Sequence, residues 1–317
     1  MGNHSTQTIF HLLGFSIAPE LQALLFFIFI SIYILTVSAN ITIIMLVRVD
    51  HRLHAPMYLF LGHLSFLEIW YTSTIVPKLL ANLMQNKIIS LSGCLAQIYF
   101  YFSLGSTEFF LLGVMAVDRY LAICNPLRYT TIMNGRVCLQ ATTACWSVAF
   151  VAVFFLVILI SQLPFCGTDV NHFFCDIPPL LKLCCQDTQV VEKVVFLFAC
   201  SIILSSFLVT IISYFFIVST ILKIPSNKGR RKAFSTCASH FTVVVILYGT
   251  VIFIYVRPSV ASPLNINKVL GLFNTVVTPL LNPIIYCLRN KEVKEAVRKV
   301  LKKLAALARN GAIHPIM

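Results

Sequence analysis

Two carboxylates, Glu68 and Glu108, fall inside long apolar runs of the chain, where little else ionises. A charge at the centre of a bilayer costs at least ~2.5 kcal/mol on insertion scales, so such residues are paired, protonated or functional. Farther along, Asp118 and Arg119 are neighbours in MAVDRYLAIC (115–124), an ion pair at the end of an apolar run. NPIIY (282–286) sets Pro283, which removes a helix hydrogen bond, beside Asn282, whose amide is expected to cap the freed carbonyl. A deformable helix and a charged helix end suit switching better than bond-making. No nucleophile–base pair, phosphate loop or metal cluster stands out, so nothing points to an enzyme.

The elements that must position these groups follow from hydropathy. Of 317 residues, 58% are hydrophobic and 11% charged, against roughly 25% charged in a soluble domain. The apolar excess must face lipid. Seven stretches reach the length of about 20 residues that a spanning helix needs. They run near Gln22–Val47, Pro56–Leu80, Cys94–Cys124, Leu139–Leu163, Val194–Leu222, Ala233–Val256 and Val269–Leu288. The third is the most polar and is expected at the centre. The predicted fold is an all-α membrane protein, a seven-transmembrane helix bundle over 22–288. An extracellular N-terminus (1–21) precedes it, and a cytoplasmic amphipathic helix and tail (289–317) follow. In that tail Val293, Val297, Val300, Leu301 and Leu304 form one stripe opposite Lys and Arg, as in a helix lying on a membrane surface.

Charge placement sets the orientation. The net charge is +13, and 18 of the 24 Lys and Arg fall in segments assigned to the cytoplasm. That asymmetry is the positive-inside pattern and makes membrane lipid, rather than nucleic acid, the expected partner. Asn3-His4-Ser5 is a glycosylation sequon on the outer side. The opening residues lack a basic stretch before an apolar core, so the first span is expected to act as the targeting signal. On this topology Cys94, Cys166, Cys175, Cys184 and Cys185 face an oxidising compartment. Five thiols make at most two disulfides, which would pin the long loop from Pro164 to Lys193 across the mouth of the bundle. Metal binding is the competing use, since His172 lies three residues before Cys175.

Taken together, these stretches resemble the rhodopsin-like G-protein-coupled receptors and, within them, the odorant receptors of the tetrapod-type class. The resemblance runs from Asn3 to about Ala296. It rests on LHAPMYLFLGHLSFLE (53–68), MAVDRYLAIC, Ser213-Tyr214, KAFSTCASH (232–240) and PLLNPIIYCLRN (279–290). Three positions depart from the family pattern: Ala55 replaces the usual Thr, His63 the usual Asn and Val117 the usual Tyr. They leave the assignment intact and bear on coupling strength.

The resemblance implies a receptor for small, volatile, mostly apolar odorants that activates a stimulatory, olfactory-type heterotrimeric G-protein and raises cyclic AMP. Its expected place is the plasma membrane of olfactory cilia. Glu68 and Glu108 should face one another across a possible sodium site, with Glu68 standing where most relatives carry Asp; no other cofactor is implied. The expected disulfides are Cys94–Cys175 and Cys166–Cys185. Ligand contacts fall on Tyr101, Phe102, Gly105 and Ser106 of span three and Phe198, Ala199, Ile202 and Ile203 of span five. Tyr248, Val251, Ile252 and Tyr255 of span six and Thr275 of span seven complete the set. None of these is charged, so an amine lacks a carboxylate. Thr275-Val276-Val277 stands where an opsin carries its lysine, which excludes a retinal photoreceptor. Coupling and activation fall on Asp118, Arg119, Tyr120, Tyr214, Lys232, His240, Asn282, Pro283 and Tyr286. Span six would swing outward and Arg119 would leave Asp118 for the G-protein. A non-olfactory receptor of the same class is the alternative. A transporter using the two acids as relays would show repeats or an ionic current.

Overall fold

The computed structural model describes residues 8–14, 18–255, 268–269, 271–289 and 292–299. Among the described residues, five helices are long and apolar enough to cross a membrane: α1 (Pro19–Val49), α2 (Pro56–Leu83), α3 (Leu91–Cys124), α5 (Gly135–Ser161) and α7 (Gln189–Leu222). A short α4 (Pro126–Ile132) joins α3 to α5. The sixth span, α8 (Asn227–Tyr255), starts six residues before the sequence estimate, because the basic KGRRK stretch is itself helical. The seventh comprises a π-helical segment (Phe273–Val277) continuing into α9 (Thr278–Arg289).

Helix starts follow from local chemistry. Proline opens α1, α2 and α4, where its missing N–H costs nothing. Ser90 caps α3 by accepting from Gly93 N at 3.1 Å, and Asn134 caps α5 by accepting from Val137 N at 3.0 Å. Large apolar side chains point outward, with Phe27 66% exposed and Phe155 65%. Water would penalise such a surface and lipid does not, so the protein is a multi-pass membrane protein.

α3 packs against α2, α5, α7 and α8 and is the axis of the bundle, as its polarity predicts. One core cluster, around Leu61, Leu64, Leu112 and Tyr286, lies toward the Arg119 end. Val293 and Ala296 of the helix over 292–299 are buried in that cluster, with Val297 packed beside them. The amphipathic stripe is thus seated on the bundle. Val300, Leu301 and Leu304 lie outside the described residues.

The opposite end carries a lid that hydropathy does not reveal. Strand β1 (Ile9–Leu12) lies between β2 (Ile88–Ser90), antiparallel, and β3 (Asp169–Val170), parallel. A five-residue helix, α6 (Ile177–Leu181), follows within the loop between α5 and α7. Phe10 and Leu12 turn inward onto Phe165, Val170 and Ile177. Disulfides join Cys94 to Cys175 and Cys166 to Cys185, each across a Cα separation of 5.3 Å, and Cys184 is the thiol left over. Among the described residues no group of His, Cys, Asp and Glu is arranged to hold a metal ion.

Candidate ligand cavity and signalling core

Beneath the lid lies a cavity of about 460 Å³, in the size range of small-molecule sites. α3 contributes Tyr101, Phe102, Gly105 and Ser106, α7 contributes Phe198, Ala199, Ile202 and Ile203, and α8 contributes Val251. Tyr71 stacks on Tyr101 at 5.1 Å, and Tyr101 meets Phe174 of the lid at 5.0 Å. Gln97 fixes the lid from below, accepting from Cys175 N at 2.9 Å and donating to Thr74 O at 3.0 Å.

Two residues expected in the lining stand away from it. Tyr248 is wedged between Phe109 and Phe207, with ring centroids 5.3 and 5.2 Å away, so Phe109 takes the cavity wall instead. Thr275 is buried and donates its hydroxyl to Gly271 O. The wider π turn shifts the register by about one residue and presents Asn274. The side chains of Ile252, Tyr255 and Lys232, like Asn3, lie outside the described residues.

The lining is also less neutral than expected. Asn171, His172, Asp176, Lys182 and Lys268 border the cavity at the lid. Lys268 Nζ donates to Asn171 Oδ1 at 2.5 Å and to Gly14 O at 3.3 Å, tying span seven to the lid. Asp176 accepts from Ile177 N at 2.8 Å as the cap of α6. Burial pushes its carboxyl above the ordinary carboxylate range, against the pull of His172 and that N–H. Burial likewise pushes the His172 imidazole below its usual value, opposed by Asp176 and reinforced by Lys268. One signal in the sequence pointed here: NHFFCDIPP places these side chains beside Cys175, and a cysteine stapled over the mouth carries its neighbours with it.

Deeper, Glu68 Oε1 accepts from Asn282 Nδ2, and Glu108 lies within electrostatic reach of Glu68. Glu68 Oε2, Glu108 Oε1 and Ser103 Oγ are buried without a hydrogen-bond partner among the described residues. Oxygens left over in this way fit a small hard cation or water. Asn282 does not cap the carbonyl that Pro283 frees. Asn40 does so, donating to Pro279 O at 3.2 Å, four residues before that proline. Asn282 is already committed to Glu68.

At the far end of α3, Arg119 Nε donates to Asp118 Oδ2 at 3.0 Å, with both side chains buried. Tyr129 of α4 donates to Asp118 Oδ1 at 2.8 Å. Tyr120 instead packs on Phe216 at 5.8 Å, outside this pair. Toward the core, Tyr214 of α7 lies 2.7 Å from His240 Nδ1, and His240 Nε2 lies 3.2 Å from Leu112 O. A neutral ring protonated on Nε2 satisfies both contacts, accepting from the tyrosine and donating to the carbonyl. His240 therefore bridges α3, α7 and α8. Tyr286 is fully buried in the adjoining core.

A family model for olfactory receptors matches residues 29–304. The chain belongs to the olfactory receptor family. It is 53% identical over 303 residues to human olfactory receptor 11L1, covering 95% of this chain and 94% of that one. Human olfactory receptor 6F1 is 54% identical, covering 95% and 98%, and rat olfactory receptor 287 is 52% identical, covering 95% and 97%. This olfactory receptor is therefore a signalling receptor with a seven-helix bundle, not an enzyme.

Proposed function

We propose that this olfactory receptor binds small, volatile, mostly apolar odorants in the 460 Å³ cavity and passes the signal to a stimulatory, olfactory-type G-protein, raising cyclic AMP. The observation that carries the reading is a largely aromatic and aliphatic chamber under a stapled lid, on the same helix bundle as the buried Asp118–Arg119 pair at its other end. The lid end faces outside and the Arg119 end the cytoplasm, because Lys and Arg concentrate at the latter. That gives an extracellular segment 1–21 with glycan on Asn3, a membrane domain 22–288 and a cytoplasmic 289–317, in the plasma membrane of olfactory cilia.

The ligand must bind the active arrangement better than the inactive one, or it shifts nothing. Contacts from α3 and α7 through Phe109 to Tyr248 offer the route, since Phe109 touches both the ligand space and Tyr248. Displacing α8 breaks the His240 bridge and frees Arg119 from Asp118. Glu68 and Glu108 would hold a sodium ion, whose charge would favour the resting state, and replacing sodium with choline should then raise basal signalling.

The test is a screen of the expressed receptor against a broad odorant panel with cyclic AMP as readout. At least one volatile should give a saturable response, and Arg119→Ala should abolish it while surface labelling persists. A surface-expressed receptor silent to the whole panel, or a normal response from Arg119→Ala, would contradict the reading.

A further inference from the structure

On the flank of the bundle, at the Arg119 end, a second hollow of about 800 Å³ opens between α1, α2 and α5. It shares no residue with the odorant cavity. Its walls include Ile44, Phe66 and Trp146, and Phe66 is 49% exposed. Lipid chains fit such walls. Three further features are not explained by lipid chains alone.

Arg48 and His54 stand exposed at the rim. The neighbouring acid is already taken: Asp50 accepts from Arg52 Nε at 3.0 Å and from Arg52 Nη2 at 2.8 Å. Arg48 has no carboxylate partner among the described residues. A guanidinium at the membrane boundary without a protein anion attracts one from the lipid.

Inside the rim, Thr143 and Ser147 are exposed in the hollow. Hydroxyls on lipid-facing helices ordinarily return a hydrogen bond to their own backbone, as Ser31 does to Phe27 O and Thr42 to Ser38 O, both at 2.7 Å. Thr143 and Ser147 make no such bond among the described residues. Two free donors therefore line the hollow, with Trp146 between them on α5 and His63 on α2. The hollow thus combines a cationic rim, free hydroxyl donors, and aromatic and aliphatic walls. A glycerophospholipid offers a phosphate, ester carbonyls and acyl chains to these three.

We infer that this groove holds one anionic phospholipid of the adjoining leaflet, its phosphate on Arg48 and His54 and its ester region on Thr143 and Ser147. The chains lie along Ile44, Phe66 and Trp146.

The chain's own fluorescence reads this site. It has two tryptophans, and Trp146 in the groove stacks on Trp70 at 6.1 Å. The full-length receptor is reconstituted in phosphatidylcholine bilayers and titrated with phosphatidylserine brominated on its acyl chains, a contact quencher. Quenching should reach half-maximum at a mole fraction about fivefold lower than with brominated phosphatidylcholine, the gain expected from one basic side chain at a headgroup. Arg48→Gln with His54→Gln should bring the two curves together, with the thermal midpoint checking that the variant folds. Should that variant not fold, Thr143→Val with Ser147→Ala, two exposed positions, should narrow the gap. Coincident curves in the natural protein, a gap unchanged in a folded variant, or cholesterol displacing the quencher where phosphatidylserine does not, would each overturn the proposal.

Discussion

At the lid end, chain crossings are fixed by two disulfides and by strand pairing, whereas among the described residues at the Arg119 end the links among α3, α4, α7 and α8 are side-chain hydrogen bonds and packing. The magnitudes differ in kind. A disulfide in a small domain is worth about 2–5 kcal/mol and does not open on the time scale of signalling. A hydrogen bond to a charged group contributes about 1.5–3 kcal/mol and a neutral one about 0.5–1.5. The ligand end is thus built to keep its shape and the signalling end to lose it. An odorant then spends little binding energy on ordering its own site, and what it gains is available to shift the other end.

The contrast breaks first if the covalent end proves dispensable. Cys94→Ser should remove about 2–5 kcal/mol and leave Cys175 unpaired over the cavity. Surface labelling should fall to background, and detergent-solubilised protein should unfold well below the natural chain. Next in size is Gly105. A Cβ there would lie 3.9 Å from Tyr71 Cε2, an ordinary contact, so Gly105→Leu is tolerated by the helix and fills the chamber. Overpacking costs about 1–3 kcal/mol, or roughly fivefold or more in half-maximal concentration. Basal cyclic AMP should stay as it is, because the signalling end is untouched. A change in basal signalling alone would mean that the two ends are not separable in this way.

Much of this arrangement was legible in the sequence, and the losses have physical reasons. The lipid-facing helices announce themselves because every backbone group in hydrocarbon must bond within its own helix, leaving length and hydropathy as sufficient signals. The α3 and α7 faces of the cavity follow from the resemblance and the helical period, and Tyr101, Gly105, Ala199 and Ile202 stand around the space. Span seven is different. Its π turn replaces Thr275 with Asn274, an irregularity that no periodicity predicts. The loop stapled over the mouth was expected from its cysteines, but its strand pairing was missed, because the strands are two to four residues long and pair across distant segments, with Ile9 opposite Ser90. Asn282 was misassigned for a similar reason. The carbonyl at Pro279 is claimed by Asn40, 239 residues away in sequence, and only tertiary packing brings the two together.

The signalling end should respond to the loss of a single hydrogen-bonding ring. His240→Phe keeps a planar ring, slightly larger, and removes both the Tyr214 and the Leu112 contacts. Two neutral hydrogen bonds total about 1–3 kcal/mol, so the resting state should lose roughly fivefold or more of its preference. Ligand-free cyclic AMP should rise while the half-maximal odorant concentration falls. Tyr214→Phe should reproduce part of the rise. Unchanged basal signalling in a well-expressed His240→Phe receptor would mean that the Asp118–Arg119–Tyr129 contacts close this end alone.

The smallest effect lies in the lid and tests whether covalent closure also makes it insensitive to pH. Burial holds the His172 imidazole below its ordinary 6.5, so its contribution to stability is present above that value and lost as pH falls through the lowered one. Burial holds Asp176 above its ordinary 3.8, so acidification relieves rather than adds strain at that carboxyl, partly offsetting the loss. Lys268, the other basic group facing His172, opposes a second cation there. The thermal midpoint of the ligand-free receptor should therefore fall modestly between pH 7.5 and pH 5.5. His172→Gln should flatten that fall. Asp176→Asn should deepen it, since a protonated His172 would then lack the carboxylate that tolerates it. Equal slopes in all three proteins would show that the disulfides and the strands alone set lid stability, and the two ends would differ even more sharply than the contacts imply.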